Sequence, residues 1–232
     1  MAPLPESDLL EVLRPFGESS LLPAAAYLDP EVLAWEQEHL FDGGWVCVGR
    51  ASDVPSARSQ KAVRIGRTSV LMTRDGDGLL RVMANVCRHR GHELLACGAT
   101  NSRGTIVCPY HAWTFELDGS LRHAPKVHQA DTSTLGLAPV RSAEWAGWVF
   151  VNVDGTAPPF EQYLGEIPEM LANWDLHELA VATTHQYELA ANWKLACENY
   201  HECYHCPLIH PELCRVTLAN SGDNYRTQAG AF

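Results

Sequence analysis

Two short pairs of metal-ligand side chains stand out in the sequence, Cys87 with His89 and Cys108 with His111. Two thiolates and two imidazoles could hold one tetrahedral zinc. They could equally hold a [2Fe–2S] cluster, with both sulfurs on one iron and both nitrogens on the other. Spacing alone leaves both readings open. His92 and Cys97 lie between the pairs and read as loop packing residues, since four ligands are already present.

A second group lies in ANWKLACENYHECYHCPLIHPEL, residues 191–213, where His205 and His210 follow Glu202. Asn192 suits a helix N-cap, and the residues after it favour a helix as far as Pro207, which should break or bend it. A five-residue separation turns the second side chain away from the first on a straight helix, so His205 and His210 need that bend to converge. Glu202, three residues before His205, shares a helix face with it and can hydrogen-bond to it. Taken alone, the two histidines would read as a hydrogen-bonded core pair. Cys203 and Cys206 form a Cys-x-x-Cys without a second half and read as packing residues. His201 and Tyr204 are either neighbours of the ligands or helix packing.

The stretch NVCRHRGHELLACGATNSRGTIVCPYHAW, residues 85–113, resembles the cluster motif of Rieske proteins. That resemblance implies a [2Fe–2S] cluster on two loops at the tip of a small antiparallel β domain. Cys87 and Cys108 would bind the inner iron, and His89 and His111 the outer one. Neutral imidazoles in place of two thiolates raise the potential of such a cluster. ENYHECYHCPLIH is similar to the mononuclear iron motif of Rieske oxygenase large subunits. The match implies His205 and His210 as ligands of a non-haem Fe(II). It also implies Glu202 as the bridge carrying electrons from a cluster histidine, His111 or His89, of a neighbouring subunit in a homotrimer.

The family also implies NAD(P)H as electron source through a separate flavin and iron–sulfur reductase, with or without a ferredoxin, O₂ as co-substrate, and a small organic substrate that is hydroxylated. Glutamate at the bridge resembles the monooxygenases of quaternary ammonium compounds such as choline, carnitine or glycine betaine. The competing branch is the α subunit of aromatic ring-hydroxylating dioxygenases, and a third reading is a truncated Rieske electron carrier without oxygenase activity. A carboxylate is expected as third iron ligand. In the family it comes from a helix far downstream. Glu212 and Asp223 are within reach but out of place, so the sequence resembles a C-terminally truncated subunit.

These motifs need elements to hold them. The chain opens with a proline-punctuated arm to about Tyr27, expected to wrap a neighbouring surface. DPEVLAWEQEHLF, residues 29–41, predicts a helix capped by Asp29, with Pro30 at its first position and Gly43-Gly44 ending it. Val32, Leu33, Trp35, Leu40 and Phe41 are its apolar positions. WVCVGR, KAVRIG, TSVLMTRD, LLRVMANV and TIVCPYHAWTFEL predict short strands with hairpin turns at residues 75–78 and 118–119. Residues 122–136 are polar and irregular, residues 137–155 add two strands, and residues 154–168 read as a linker. TTHQYELA, residues 183–190, alternates as a weak strand.

The predicted class is α+β. An arm and helix (1–42) precede a small all-β Rieske domain (43–155). The start of a catalytic domain follows (156–232), of the type in which a curved antiparallel sheet grips a long helix. Seventeen basic and 28 acidic residues give a net charge of −11, which leaves no electrostatic footprint for nucleic acid or an anionic membrane. No apolar run approaches a membrane span, and the acidic start does not resemble a leader, so a cytoplasmic protein with reduced thiols is expected. Cys47, Cys97, Cys197 and Cys214 are expected as small buried hydrophobes.

Overall fold

Strand β3 (Thr68–Arg74) is an inner strand of the largest sheet in the structure, a computed structural model that describes residues 2–15, 17–127, 132, 134–202 and 205–216. Its apolar run alternates in the period of a strand: Val70 and Met72 enter one core cluster and Leu71 another. Both faces are therefore buried, which explains why this strand reads as continuously hydrophobic. It pairs antiparallel with β2 (Gln60–Ile65) and β4 (Leu80–Ala84), whose Ala62 and Met83 join Leu71, while Ile65 and Val82 join Val70. A two-residue strand β5 (Thr100–Asn101) completes this sheet in the order β4-β3-β2-β5.

A second sheet pairs β1 (Val46–Arg50) with β10 (Trp148–Asn152) and β10 with β9 (Arg141–Trp145), again antiparallel. A third, smaller sheet runs β6 (Ile106–Val107), β7 (Thr114–Phe115) and β8 (Leu121–His123). Phe115, Leu71, Met72 and Met83 are fully buried, each contributing roughly 1.5–3 kcal/mol by removal from water.

These sheets belong to one compact unit, Glu36–Ala182; residues of Met1–Trp35 and Thr183–Phe232 form another. The first extends well past Gly155. The stretch expected as a linker is packed instead: it forms helices α4 (Phe160–Leu164) and α5 (Ile167–Met170), and Ala157, Phe160 and Leu164 cluster on Trp45. Trp45 Nε1 donates to the Pro158 carbonyl at 2.9 Å, and the Asn152 side chain accepts from the Ala157 amide at 2.9 Å. Its Pro, Gly and acidic content hid the widely spaced apolar residues that anchor it.

In the other unit the proline-punctuated arm carries two short helices, α1 (Glu6–Val12) and α2 (Ala25–Leu28). The predicted helix at 29–41 is α-helical over Pro30–Glu36, here α3, and π-helical over Gln37–Asp42, the latter segment belonging to the sheet-bearing unit. Asp29 caps it as expected, accepting from the Glu31 amide at 2.8 Å. Residues 183–190 form no strand among the described residues, since no neighbour pairs their backbone groups. Helix α6 (Trp193–His201) begins where predicted, with the Lys194 amide donating to the Asn192 side chain at 3.1 Å. It ends earlier than predicted. Glu202 is extended, and Pro207 opens a new short helix, α7 (Cys206–Ile209), rather than closing α6.

Cys47, Cys97 and Cys197 are exposed and Cys214 is half-buried, against the expectation of burial. Cys47 shows why: on β1 it takes the outward position while Val48 turns inward. Among the described residues no helix is long and apolar enough to cross a membrane.

Candidate cluster site and histidine pair

The two ligand loops are built to one plan. The Cys87 amide donates to the His92 carbonyl (2.8 Å), and the Gly91 amide returns to the Cys87 carbonyl (3.0 Å). Likewise the Cys108 amide donates to the Trp113 carbonyl (2.8 Å), and the Ala112 amide to the Cys108 carbonyl (3.0 Å). Each loop is thus closed four and five residues after its cysteine. The closing residues Gly91 and Ala112 both adopt left-handed backbone, with φ of 71° and 57°. Ala112 accepts a conformation that disfavours a Cβ.

The closure buries both thiols, each 2% exposed, within the core cluster that holds Leu71 and Phe115. Burial pushes the Cys87 thiol up, and the neighbouring Cys108 side chain adds to this, while the backbone amides of His89 and Arg90 act in the opposite sense. Amides already aimed at sulfur are what a thiolate ligand requires. His89 and His111 are half-buried, with ring centroids 4.8 Å apart and planes at 73°. His89 lies flat on Trp113, at 4.9 Å and 4°, and Tyr110 leans on His111 at 3.8 Å. Burial first, then the charges of His89, Arg90 and His92, holds His111 below its ordinary value, which favours the neutral imidazole that a metal requires.

His111 Nδ1 is buried without a hydrogen-bond partner. A buried orphan of this kind calls for a missing partner, and a metal supplies one. A thiol pair beside an imidazole pair fits the two irons of a cluster. His92 and Cys97, expected as packing, are exposed; the His92 ring sits 5.6 Å from Tyr110.

Residues 202–210 form the other group. The Glu202 carboxylate meets His205 Nδ1 at 2.5 Å, although the two lie across the end of α6 and not on one helix. His205 and His210 occupy the two caps of α7, with ring centroids 5.2 Å apart at 76°. Their convergence comes from the non-helical backbone at His210 (φ −126°, ψ 58°), not from a bend at Pro207. A histidine whose Nδ1 is held by a carboxylate presents Nε2 to a metal. Cys206 is buried, as expected; Cys203, Tyr204 and Asp223 lie outside the described residues. Glu212 is described and exposed, and it joins no three-residue metal group with the histidines. His201, the last residue of α6, is exposed, and its ring lies 5.9 Å from that of Tyr200.

Sequence reasoning overlooked Asn85, Ala112 and the Trp113–His89 stack. Only Trp113 carried a signal, as the last residue of CPYHAW.

Residues 44–142 match the Rieske [2Fe-2S] domain family, and residues 176–231 match the ring hydroxylating alpha subunit (catalytic domain) family. The chain is 38% identical over 199 residues to the carnitine monooxygenase oxygenase subunit of Escherichia coli (strain K12), covering 84% of this chain and 53% of that protein. The chain belongs to the Rieske oxygenase alpha-subunit family. Another member, the glycine betaine monooxygenase oxygenase subunit of Chromohalobacter salexigens, is 35% identical over 208 residues, covering 88% of this chain and 46% of that one. The crystal structure of a quaternary ammonium Rieske monooxygenase in complex with L-carnitine superposes with a TM-score of 0.75 at 35% identity, over 83% of this chain and 56% of the other. The chain spans about half the length of the curated relatives it matches. Family membership implies an iron–sulfur cluster and a non-haem iron, the two groups that the Cys/His pairs and the Glu202–His205–His210 group suit.

Proposed function

We propose that this chain provides the cluster domain and the histidine motif of the oxygenase component of a quaternary ammonium monooxygenase. The observation that carries this reading is the pairing of two matched Cys/His loops with a Glu202–His205–His210 group, in a chain similar to carnitine and glycine betaine monooxygenase subunits.

In this reading Cys87, His89, Cys108 and His111 hold the cluster, and His205 and His210 hold the mononuclear iron. When bound, these groups supply single-electron storage and a site for reducing O₂. The protein does the rest. The paired loops keep both thiols out of water and orient both imidazoles. Glu202 keeps a proton on His205 Nδ1, which frees Nε2 and fixes the ring. In a homotrimer the same carboxylate faces a cluster histidine of the neighbouring subunit and links the two centres. Electrons come from NAD(P)H through a flavin and iron–sulfur reductase, with or without a ferredoxin, in the cytoplasm. The net reaction inserts one oxygen atom of O₂ into a C–H bond beside the cationic nitrogen. It reduces the other atom to water with two electrons and two protons.

The test is NAD(P)H- and reductase-dependent turnover by the chain, and by its extended form where the reading frame continues past Phe232. Carnitine, glycine betaine and choline are compared with aromatic acids, reading aldehyde or formaldehyde release. Turnover confined to aromatic acids would move the protein to the dioxygenase branch. A cluster spectrum with no turnover of any substrate by the extended form would leave an electron carrier. Glu202→Gln should keep both metals and lose at least about 100-fold in coupled turnover, as removal of a positioned proton-transfer or relay group typically does. Retained turnover would remove Glu202 from the path.

A further inference from the structure

The two ligand loops share one plan but not one support. The Cys108 loop closes a regular hairpin, in which Val107 pairs with Thr114 and Ile106 with Phe115 on β6 and β7. The Cys87 loop has β4 on its entering side and no strand on its leaving side, only an isolated bridge between Val86 and Glu93. At the next step back the Asn85 side chain takes over. Its Nδ2 donates to the Leu95 carbonyl at 2.6 Å, and its Oδ1 accepts from the Leu95 amide at 3.1 Å. A side-chain amide thereby pairs with both backbone groups of one residue, as a neighbouring strand would. The remaining Nδ2 hydrogen goes to Ser69 Oγ on β3 at 2.9 Å, and the backbone of Asn85 bonds to Ser69 and Leu94. Asn85 is fully buried, so no water can replace these bonds.

We propose that Asn85 is a positioning residue for the [2Fe–2S] cluster: its amide stands in for the strand that the Cys87 loop lacks, and so fixes the sulfur of Cys87 and the ring of His89. Asn85 touches neither iron nor sulfide and acts through the loop. The inference rests on the reading of Cys87 and His89 as cluster ligands.

Asn152 supplies the control. It is as deeply buried, and its side chain ties Asp42, Gly44, Asp154 and Ala157 together, none of them in a ligand loop. The experiment compares the full chain with Asn85→Ala, Asn85→Asp and Asn152→Ala. It reads iron and acid-labile sulfide content, the electron paramagnetic resonance of the reduced cluster, and the rate of iron release to a chelator. Asn85→Ala should release iron roughly tenfold faster, the factor expected from losing one to two hydrogen bonds at the loop, and should shift or broaden the resonance. Asn85→Asp, which keeps the acceptor for Leu95 and loses both donors, should show the same resonance change. Asn152→Ala should lower stability with cluster signals unchanged. Equal changes in the Asn85 and Asn152 variants, or none in either, would reduce Asn85 to an ordinary fold-stabilising amide. If the Asn85 variants do not fold, hydrogen exchange in the wild-type chain decides: the Leu95 amide should be as protected as that of Cys108, and fast exchange at Leu95 overturns the proposal. A wild-type chain without iron and sulfide would instead overturn the cluster reading itself.

Discussion

At the residue scale, the matched loops place two chemically different residues in the same backbone state. Gly91 has open space around the position a Cβ would take, so Gly91→Ala meets only the backbone cost of left-handed conformation, about 1–2 kcal/mol. Ala112 already bears that cost. Ala112→Gly should relieve it, offset by about 0.4–1 kcal/mol from the freer unfolded chain, and come out between neutral and about 1 kcal/mol more stable. Thermal melts of the two variants test this, Gly91→Ala melting several degrees lower and Ala112→Gly at or slightly above wild type. A equal fall in both would mean the loops are held by something other than their closing turns. The two Cys/His pairs and the group of Glu202, His205 and His210, proposed above as ligands and bridge, stood out as candidates because ligand chemistry restricts residue type and spacing. Asn85 and Ala112 did not, because their roles are set by which backbone groups meet them, and nothing in NVC or HAW fixes that.

Elements show where local rules suffice and where they do not. The starts of α3 and α6 were readable, since an Asn or Asp side chain satisfies the free amides of the first turn whatever lies beyond. The end of α6 was not: Tyr200, His201 and Glu202 could continue a helix by residue type, yet Glu202 is extended, and its carboxylate bonds to His205 beyond the helix end. Asn192 does more than cap. Its Nδ2 donates to the Tyr27 carbonyl at 3.1 Å, and the Tyr27 hydroxyl donates to Glu198 on α6 at 2.5 Å. Burial, then the bond to Glu198 and its charge, pushes the Tyr27 hydroxyl up to about 12. Asn192→Ala should therefore cost about 1–2 kcal/mol, and Asn192→Asp, which keeps the cap and loses only the bond to Tyr27, distinctly less. Helical circular dichroism during denaturant titration measures both. Indistinguishable variants would place the whole effect in the Tyr27 contact. Ultraviolet titration should show a tyrosine ionising near 12 that is absent in Tyr27→Phe.

For the whole molecule, three carboxylates that knit loops of the β unit decide how it meets acid. Burial alone would raise Asp75, but the amides of Leu79 and Asp77 and the Arg81 side chain hold it below its ordinary value of 3.8. Bonds from the Ser120 hydroxyl and amide do the same for Asp118. Asp154, which burial would also raise, is held down by Thr156 and Asn152. A folded-state value below the unfolded one means stability that is complete above about pH 4 and lost as pH falls through the lowered values. The net charge of −11 acts in the other direction, since acidification toward the isoelectric point near 5.4 first relieves self-repulsion. Stability should thus hold level or rise slightly from pH 7 to about pH 5 and drop below pH 4. Asp75→Asn isolates the first of the three: at pH 7 it should be about 1–3 kcal/mol less stable than wild type, the cost of weakening hydrogen bonds to a buried charged group at the base of an exposed turn. At pH 3, below the ordinary value of 3.8, that gap should have begun to narrow, because stability held by a lowered carboxylate is lost as pH falls through its folded-state value. Denaturant titrations at the two pH values, followed by the strand signal in circular dichroism, measure the gap. A gap that stays constant would mean that Asp75 holds its turn through shape, and that acid lability arises elsewhere in the unit.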